Sequence, residues 1–395
     1  MTGRDFDVLV VGGGPAGAWC AFHLARGGVR VALLQPPRRH AKVCGGCLTA
    51  TAWDEIDRPE SLDPTPVREA VFEWAGRFRA AAPVDGDAVF VDRERLDAHL
   101  LARAREAGAK VFEDRARRVR RSGSRWTAQT AGAAYRAAVL VGADGCRSLV
   151  RAAVVGKFRP SEMAFGAGVY PAWQDLAAGA GARGMARTLF FPGGLSVKPA
   201  GPRRHGYAYV FGRADRPAVG VWGRGPATAV LALLRYVLAG WLPGPARGAY
   251  RVLGRPSPCI VSPEGFDGRT ASDSGRCAGA NWMLVGDAAG HVNPVTGEGI
   301  RYALRGGRLA AEAILDGSPP SYSDRWEADF GEVLRWGARL VQVHERSHVV
   351  RRWIRRAGQS PVLARALADL GFARGSYRWF YLTGFFRGMR QMIGW

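Results

Sequence analysis

WMLVGDAAGHVNPVTGEGIRYALRGGRLAAEA, residues 282–313, is the stretch that decides how the rest of this chain is read. Trp282–Val285 is a short apolar run and reads as a buried strand. Gly286-Asp287 ends it, and the small residues Ala288, Ala289 and Gly290 carry the chain away without side-chain bulk. Pro294, Gly297 and Gly299 shape a tight loop. A helix follows, with Ile300, Ala303, Leu304, Gly307, Leu309 and Ala311 at helical spacing. A strand ending in a carboxylate, a glycine-rich loop and an open helix N-terminus together suit a ligand bearing phosphates and hydroxyls. The unpaired N–H groups favour electron-rich atoms, and Asp287 can accept from a ribose or ribitol hydroxyl.

The N-terminus supplies the partner to this segment. Phe6–Val11 is a mostly apolar strand, and Gly12-Gly13-Gly14-Pro15-Ala16-Gly17 opens a helix that runs to about Gly27. Gly12, Gly14 and Gly17 satisfy G-x-G-x-x-G in the strand–turn–helix setting that gives the motif its meaning: a tight turn, close approach of a pyrophosphate, and close packing of helix on strand. A second strand, Arg30–Leu34, follows at the spacing of a βαβ unit. Gln35 stands at its end, where a carboxylate usually holds a ribose diol; the amide can still bond a hydroxyl, more weakly.

Ala138–Arg151 is a third apolar strand ending in small residues and a carboxylate, Gly142, Asp144 and Gly145, with Ser148 and Arg151 beyond. Together the three pieces resemble the FAD-binding elements of the flavoprotein superfamily that includes aromatic hydroxylases, flavin halogenases and geranylgeranyl reductases. The resemblance implies that Gly12, Gly14, Ala16, Gly17, Gln35, Gly286 and Asp287 hold FAD and that the Asp144 loop closes over it. With one dinucleotide motif in the chain, FAD is the resident cofactor, and NADPH or a ferredoxin would supply electrons transiently.

Lys42-Val43-Cys44-Gly45-Gly46-Cys47 narrows the choice. It is similar to the K-P-C-G-G segment of geranylgeranyl reductases, with Val43 in place of proline and Cys47 additional. The resemblance places Cys44 and Gly45 beside the flavin and makes Cys44 the leading proton donor or positioning group; a small packing residue is the competing reading. Val91-Asp92-Arg93-Glu94-Arg95-Leu96-Asp97 resembles the V-D-R-x-x-F-D helix start of the same enzymes, with Asp92 as N-cap and Arg93 against FAD. Tyr207-Ala208-Tyr209-Val210-Phe211-Gly212, followed by Gly220-Val221-Trp222, resembles their Y-x-W-x-F-P…G-x-G motif, departing at Tyr209, Gly212 and Trp222. By that resemblance Cys47, Tyr207, Tyr209, Phe211, Trp222 and Pro294 contact substrate, and Tyr207 stands second to Cys44 as catalytic residue. Gly297, Gly299 and Ile300 in the opening segment fit the reductase form of the flavin loop. His291 lies where an acid–base role could be imagined, but a loop histidine bonded to backbone is the commoner case.

Composition bounds the rest. A chain of 395 residues with 47% hydrophobic content buries a large core in two closely joined parts. Its 56 basic and 34 acidic residues leave a net charge of +22, which suits an anionic membrane surface or a phosphorylated substrate; arginine-favouring codon bias explains part of it, and no nucleic-acid-binding motif is present. No run reaches a membrane span, and Pro226–Leu242, interrupted by Arg235, reads as an amphipathic helix. With no leader pattern, the six cysteines read as free thiols in a cytoplasmic chain, possible contact with the membrane being peripheral. Cys44-x-x-Cys47 has no second pair to complete a metal site.

The expected architecture is α/β: a Rossmann-type FAD-binding domain in two parts (1–155 and 274–320), an antiparallel-sheet substrate domain (156–273), and a C-terminal helical region (321–395) that caps the pocket. Arginine and aromatic residues alternate in Tyr377–Trp395, as in a helix at a membrane interface. The expected activity is FAD-dependent saturation of isolated double bonds in an isoprenoid chain. A flavin monooxygenase or halogenase acting on a small aromatic compound is the alternative.

Overall fold

A computed structural model describes residues 3–37, 42–191, 206–242, 250–260, 277–344, 347–372 and 374–382. The segment that begins at Trp282 takes its expected place: the strand Trp282–Leu284 lies beside Ala134–Gly142, and the helix Ile300–Leu315 follows. Ala134–Gly142 pairs in parallel with Gly3–Val11, which pairs in parallel with Val31–Leu34, and that strand with Lys110–Phe112. These are the parallel strands of one eight-stranded sheet. Val8, Leu9 and Val10 are almost fully buried, as continuous apolar runs in a sheet covered on both faces must be. The helix Pro15–Arg26 packs on Ile300–Leu315 and Arg93–Glu106. Gly307 permits the first contact, since a Cβ there would stand 2.4 Å from the Ala16 carbonyl oxygen.

The second sheet has seven strands, in the order 253–258, 163–169, 218–224, 206–211, 185–190, 69–74, 78–83. It departs from expectation twice. Met185–Phe190 pairs in parallel with Glu69–Trp74, so the sheet is mixed rather than wholly antiparallel. Glu69–Trp74 and Phe78–Pro83, which fall in the stretch 1–155 expected to bind FAD, also belong to this sheet. The chain therefore crosses into the second sheet and back before the first is complete. The reason is local: these two strands join through a tight turn at Ala75-Gly76, both at positive φ, and their apolar faces meet the C-terminal helices.

Period-two alternation sorts this sheet's side chains. Ala208, Val210, Val219 and Val221 face the helix Ala227–Trp241 and bury Val230, Leu233, Leu234 and Val237 with them. Each such aliphatic side chain contributes about 1.5–3 kcal/mol on burial. The intervening residues Tyr207, Tyr209, Phe211 and Trp222 consequently point to the opposite side. There the helices Glu332–His344, Ser347–Ala357 and Pro361–Gly371 close over them, the last two packing against Phe78–Pro83.

Candidate active site

Between the two sheets lies a cavity of about 2000 Å³, open mouth included. Gly14 and Ala16 line one end, beside Asp287, Gly297, Gly299 and Ile300. Cys44, Gly45 and Arg93 line the middle, and Tyr207, Tyr209, Phe211 and Trp222 line the far wall. Cys47 and Glu298 border the same space.

At the first end the glycines divide the work. Gly12 has φ +104°, and a Cβ on it would meet the Ala143 carbonyl oxygen at 2.3 Å; one on Gly17 would meet the Gly12 carbonyl oxygen at 1.9 Å. Both are packing positions behind the loop. A Cβ on Gly14 would reach into open space, with only Lys42 Nζ within 4 Å, at 3.8 Å. That is the approach a pyrophosphate needs, with the N-terminus of the Pro15–Arg26 helix behind it. Asp287 reaches the cavity and lies 3.7 Å from an Arg255 guanidinium nitrogen. The residues present fit FAD.

Gln35, Asp144, Gly286 and Pro294 take other roles than direct lining. Gln35 Oε1 accepts a 2.7 Å hydrogen bond from the Gly13 amide, so its acceptor holds the glycine loop from behind instead of meeting a ribose. Asp144 turns its carboxylate away to accept from Ser148 Oγ and from the Leu149 amide at 2.6 Å, ordering the helix Leu149–Val154; its neighbours Ala143 and Gly145 line the cavity with backbone. Gly286, at φ +58°, makes the turn against Ala16. Pro294 is buried against the helix Glu332–His344, where a Cβ on Gly337 would touch it at 3.2 Å.

Tyr170, which the sequence did not single out, secures the Cys44 segment. Its hydroxyl accepts from the Cys44 amide at 2.9 Å and lies 2.8 Å from the Lys42 carbonyl oxygen. Gly45 and Gly46 have a packing reason of their own: a Cβ on Gly45 would strike the Phe211 ring at 2.2 Å, and one on Gly46 the Val91 carbonyl oxygen at 2.1 Å. The double glycine therefore lets this loop pack on Phe211 and Val91 while it borders the cavity.

Arg93 begins the helix Arg93–Glu106, with Asp92 accepting from the Glu94 and Arg95 amides as the expected N-cap. Its guanidinium lies 3.0 Å from Asp97, and another of its nitrogens stands 3.8 Å from Cys44 Sγ. Burial raises the Cys44 thiol pKa, but the positive charges of Arg93 and Arg255 and a bond from the Gly46 amide outweigh it, leaving the thiol below its ordinary value. The Arg93 guanidinium and the Gly46 amide hold the sulfur in place beside the cavity.

Tyr207 lines the far wall. Its hydroxyl donates to the Thr296 carbonyl oxygen, and burial pushes its pKa up, so its proton is committed to the flavin loop. The wall it belongs to is continuous: ring centroids stand 5.7 Å apart for Tyr207–Trp222, 6.2 Å for Tyr207–Tyr209 and 4.8 Å for Tyr209–Phe211. Gly220 gives Tyr209 room, since a Cβ there would lie 2.5 Å from its hydroxyl. Trp222 packs on Gly297 in turn, a Cβ there coming within 2.9 Å of the indole. Val350, Trp353 and Ile354, from the C-terminal region expected to cap the pocket, complete the apolar lining with Ala70 and Phe72, which escaped the sequence reading. The alternation in Glu69–Trp74 was the available signal for Ala70 and Phe72.

His291 lies outside the cavity lining. It is 1% exposed, its ring centroid is 4.5 Å from that of Trp326, and Nε2 is 3.6 Å from Cys277 Sγ. Burial, with Arg151 nearby, pushes its pKa from 6.5 down to about 3. Below pH 6.5 the unfolded chain binds a proton that the folded chain refuses. This contribution to stability is therefore whole above that pH and is lost as pH falls towards the folded value, by on the order of 1.4 kcal/mol per unit. Denaturant titrations read by tryptophan fluorescence should show stability falling from pH 6.5 to 4.5, with a shallower fall in His291→Gln. Equal slopes in the two proteins would remove His291 from the account.

The FAD dependent oxidoreductase family model matches residues 7–157. The geranylgeranyl diphosphate reductase of Rhodobacter capsulatus is 31% identical over 320 residues, covering 78% of this chain and 75% of that protein. The menaquinone reductase of Mycolicibacterium smegmatis is 30% identical over 347 residues, covering 81% and 79%. Among solved structures, a geranylgeranyl bacteriochlorophyll reductase-like protein of Thermoplasma acidophilum superposes with a TM-score of 0.72 over 93% of this chain and 96% of its own, at 18% identity. Identity at this level across most of both chains reaches well beyond the dinucleotide loop shared by many flavoproteins. It makes this protein a member of the geranylgeranyl reductase family of FAD-dependent oxidoreductases.

Proposed function

We propose that the protein saturates isolated double bonds of an isoprenoid chain. What carries this reading is the cavity, which joins the dinucleotide loop to an apolar chamber walled by Tyr207, Trp222, Phe72, Trp353 and Ile354. Such a lining suits a flexible hydrocarbon. Bound FAD, once reduced, supplies hydride. The chain's own residues bind and orient: the aromatic wall would hold the alkene, Cys44 would position it beside the cofactor loop, and the C-terminal helices would exclude water. An unactivated alkene has no carbonyl to take up charge, so alignment and a nearby proton are the whole of the protein's task.

The relatives named above differ in what carries the isoprenoid, a diphosphate or a quinone. Lys42 and Arg255 border the cavity and suit a diphosphate. A lipid carrier suits the outer face near residues 351–382, where Arg351, Arg352 and Arg355 are exposed, along with Val362 (77%) and Trp379 (58%). We place peripheral membrane contact there; most of Tyr377–Trp395 lies outside the described residues. No described helix is long and apolar enough to cross a membrane. NADPH or a ferredoxin is the proposed electron donor.

The test is anaerobic. Flavin-loaded protein is reduced with dithionite and given geranylgeranyl diphosphate or a menaquinone in anionic vesicles; flavin absorbance, product mass and co-sedimentation are read from each sample. Reoxidation with a gain of two hydrogens per double bond is expected. Flavin that stays reduced with both isoprenoids yet turns over with air and an aromatic compound would establish the monooxygenase instead.

A further inference from the structure

The cavity holds one acid that the reading above leaves unused. Glu298 lies on the loop between Gly297, at φ +70°, and Gly299, and the residue borders the chamber shared by Cys44, Cys47 and Tyr207. Oε1 accepts a 3.0 Å hydrogen bond from Thr49 Oγ1. Oε2 is shielded from solvent and has no hydrogen-bond partner among the described residues. An ionised oxygen left so is costly, and protonation removes the charge.

Resting on the reductase reading, we propose that Glu298 is the proton donor to the alkene. One alkene carbon takes a hydride, with its two electrons, from reduced flavin; the other takes the proton of Glu298. The carbon–carbon π bond and the O–H bond break, two C–H bonds form, flavin is left oxidised, and the carboxylate regains its proton from water.

The other titratable groups bordering this space have partners of their own. Cys44 Sγ accepts from the Gly46 amide beside the Arg93 guanidinium, Tyr207 gives its proton to the Thr296 carbonyl oxygen, and burial raises the Cys47 thiol. Burial raises the Glu298 carboxyl as well, the positive Arg301 and the bond from Thr49 opposing, so a proton is held nearer to neutral pH on a group that still yields it. Tyr302 and Tyr377, buried nearby with raised pKa values, add no charge.

The experiment compares wild type, Glu298→Gln and Thr49→Val, each loaded with FAD, in anaerobic single turnover with geranylgeranyl diphosphate across pH. Glu298→Gln should bind FAD as wild type does and slow flavin reoxidation by roughly 10²–10⁴-fold. In wild type the rate should fall as pH rises through the Glu298 pKa. Thr49→Val, which removes the bond favouring the carboxylate, should move that limb to higher pH. Infrared difference spectra on the same proteins, without substrate, should show a protonated-carboxyl band titrating with that pKa and missing from Glu298→Gln. A Glu298→Gln protein with wild-type rate and pH limb overturns the donor while leaving the reductase standing. A wild type that binds FAD but reduces no isoprenoid overturns the reductase reading and the donor with it, even where the infrared band titrates.

Discussion

Gly17→Val should purify colourless and unfold at lower denaturant concentration than wild type. A Cβ at this position would lie 1.9 Å from the Gly12 carbonyl oxygen and 2.9 Å from Ala143 Cβ. The first of these is backbone in the turn that forms the cofactor loop, so no rotamer change relieves it. Overpacking a core usually costs about 1–3 kcal/mol, and a collision with backbone belongs at or above the top of that range. The helix Pro15–Arg26 must then leave the strand Gly3–Val11, taking with it the N–H groups that face the pyrophosphate. Gly14→Ala separates the two consequences. Its Cβ meets no protein atom nearer than Lys42 Nζ at 3.8 Å, so stability should hold while flavin affinity falls. Flavin content by absorbance and unfolding by fluorescence distinguish the variants, and a yellow, stable Gly17→Val protein would contradict the packing account.

Arg93→Gln should lose about 3–5 kcal/mol of stability and, in the same protein, raise the pH at which Cys44 reacts with iodoacetamide. Arg93 and Asp97 form an ion pair with side chains 6% and 1% exposed, so the substitution leaves the Asp97 charge buried without its guanidinium. The second effect follows from the same charge. The Arg93 charge is the strongest of the influences that draw the Cys44 thiol down against the burial that raises it. Alkylation near neutral pH reports mainly on Cys44, because Cys20 and Cys277 are pushed up to about 12 by burial and Cys47 is raised as well. Asp97→Asn is the control: it breaks the ion pair but keeps the guanidinium beside the sulfur. It should be destabilised without raising the pH of thiol reactivity. If Arg93→Gln leaves that profile in place, the arginine does not set the state of Cys44.

What the sequence disclosed about the site depended on how local the cause was. Gly12-x-Gly14-x-x-Gly17 marks a turn made by neighbouring residues, and Asp92 caps a helix whose amides are two and three positions away; both are where the sequence puts them. Gln35 and Asp144 were legible as positions but not as roles. Whether a carboxylate faces a ligand or caps the next helix depends on a side-chain rotation that spacing does not encode, and Asp144 caps. Nothing local marks Glu298 as an acid, because its hydrogen-bond partner Thr49 lies 249 positions away in the chain. Tyr170 reaches Cys44 across 126 positions, and Arg255 comes from the far edge strand of the second sheet.

By itself, the amino-acid sequence determined the parallel FAD-binding sheet, because apolar period, glycine spacing and capping act within a few residues of one another; the class of the enzyme was implied by the resemblance of its motifs to those of geranylgeranyl reductases. Tertiary structure alone decided that residues 69–83 join the second sheet, that Cys44 sits among guanidinium groups, and that Glu298 borders the chamber with one oxygen buried and unpartnered. Each of these rests on burial and charge brought together from distant parts of the chain, and a desolvation energy exists only once the surfaces that exclude water have met.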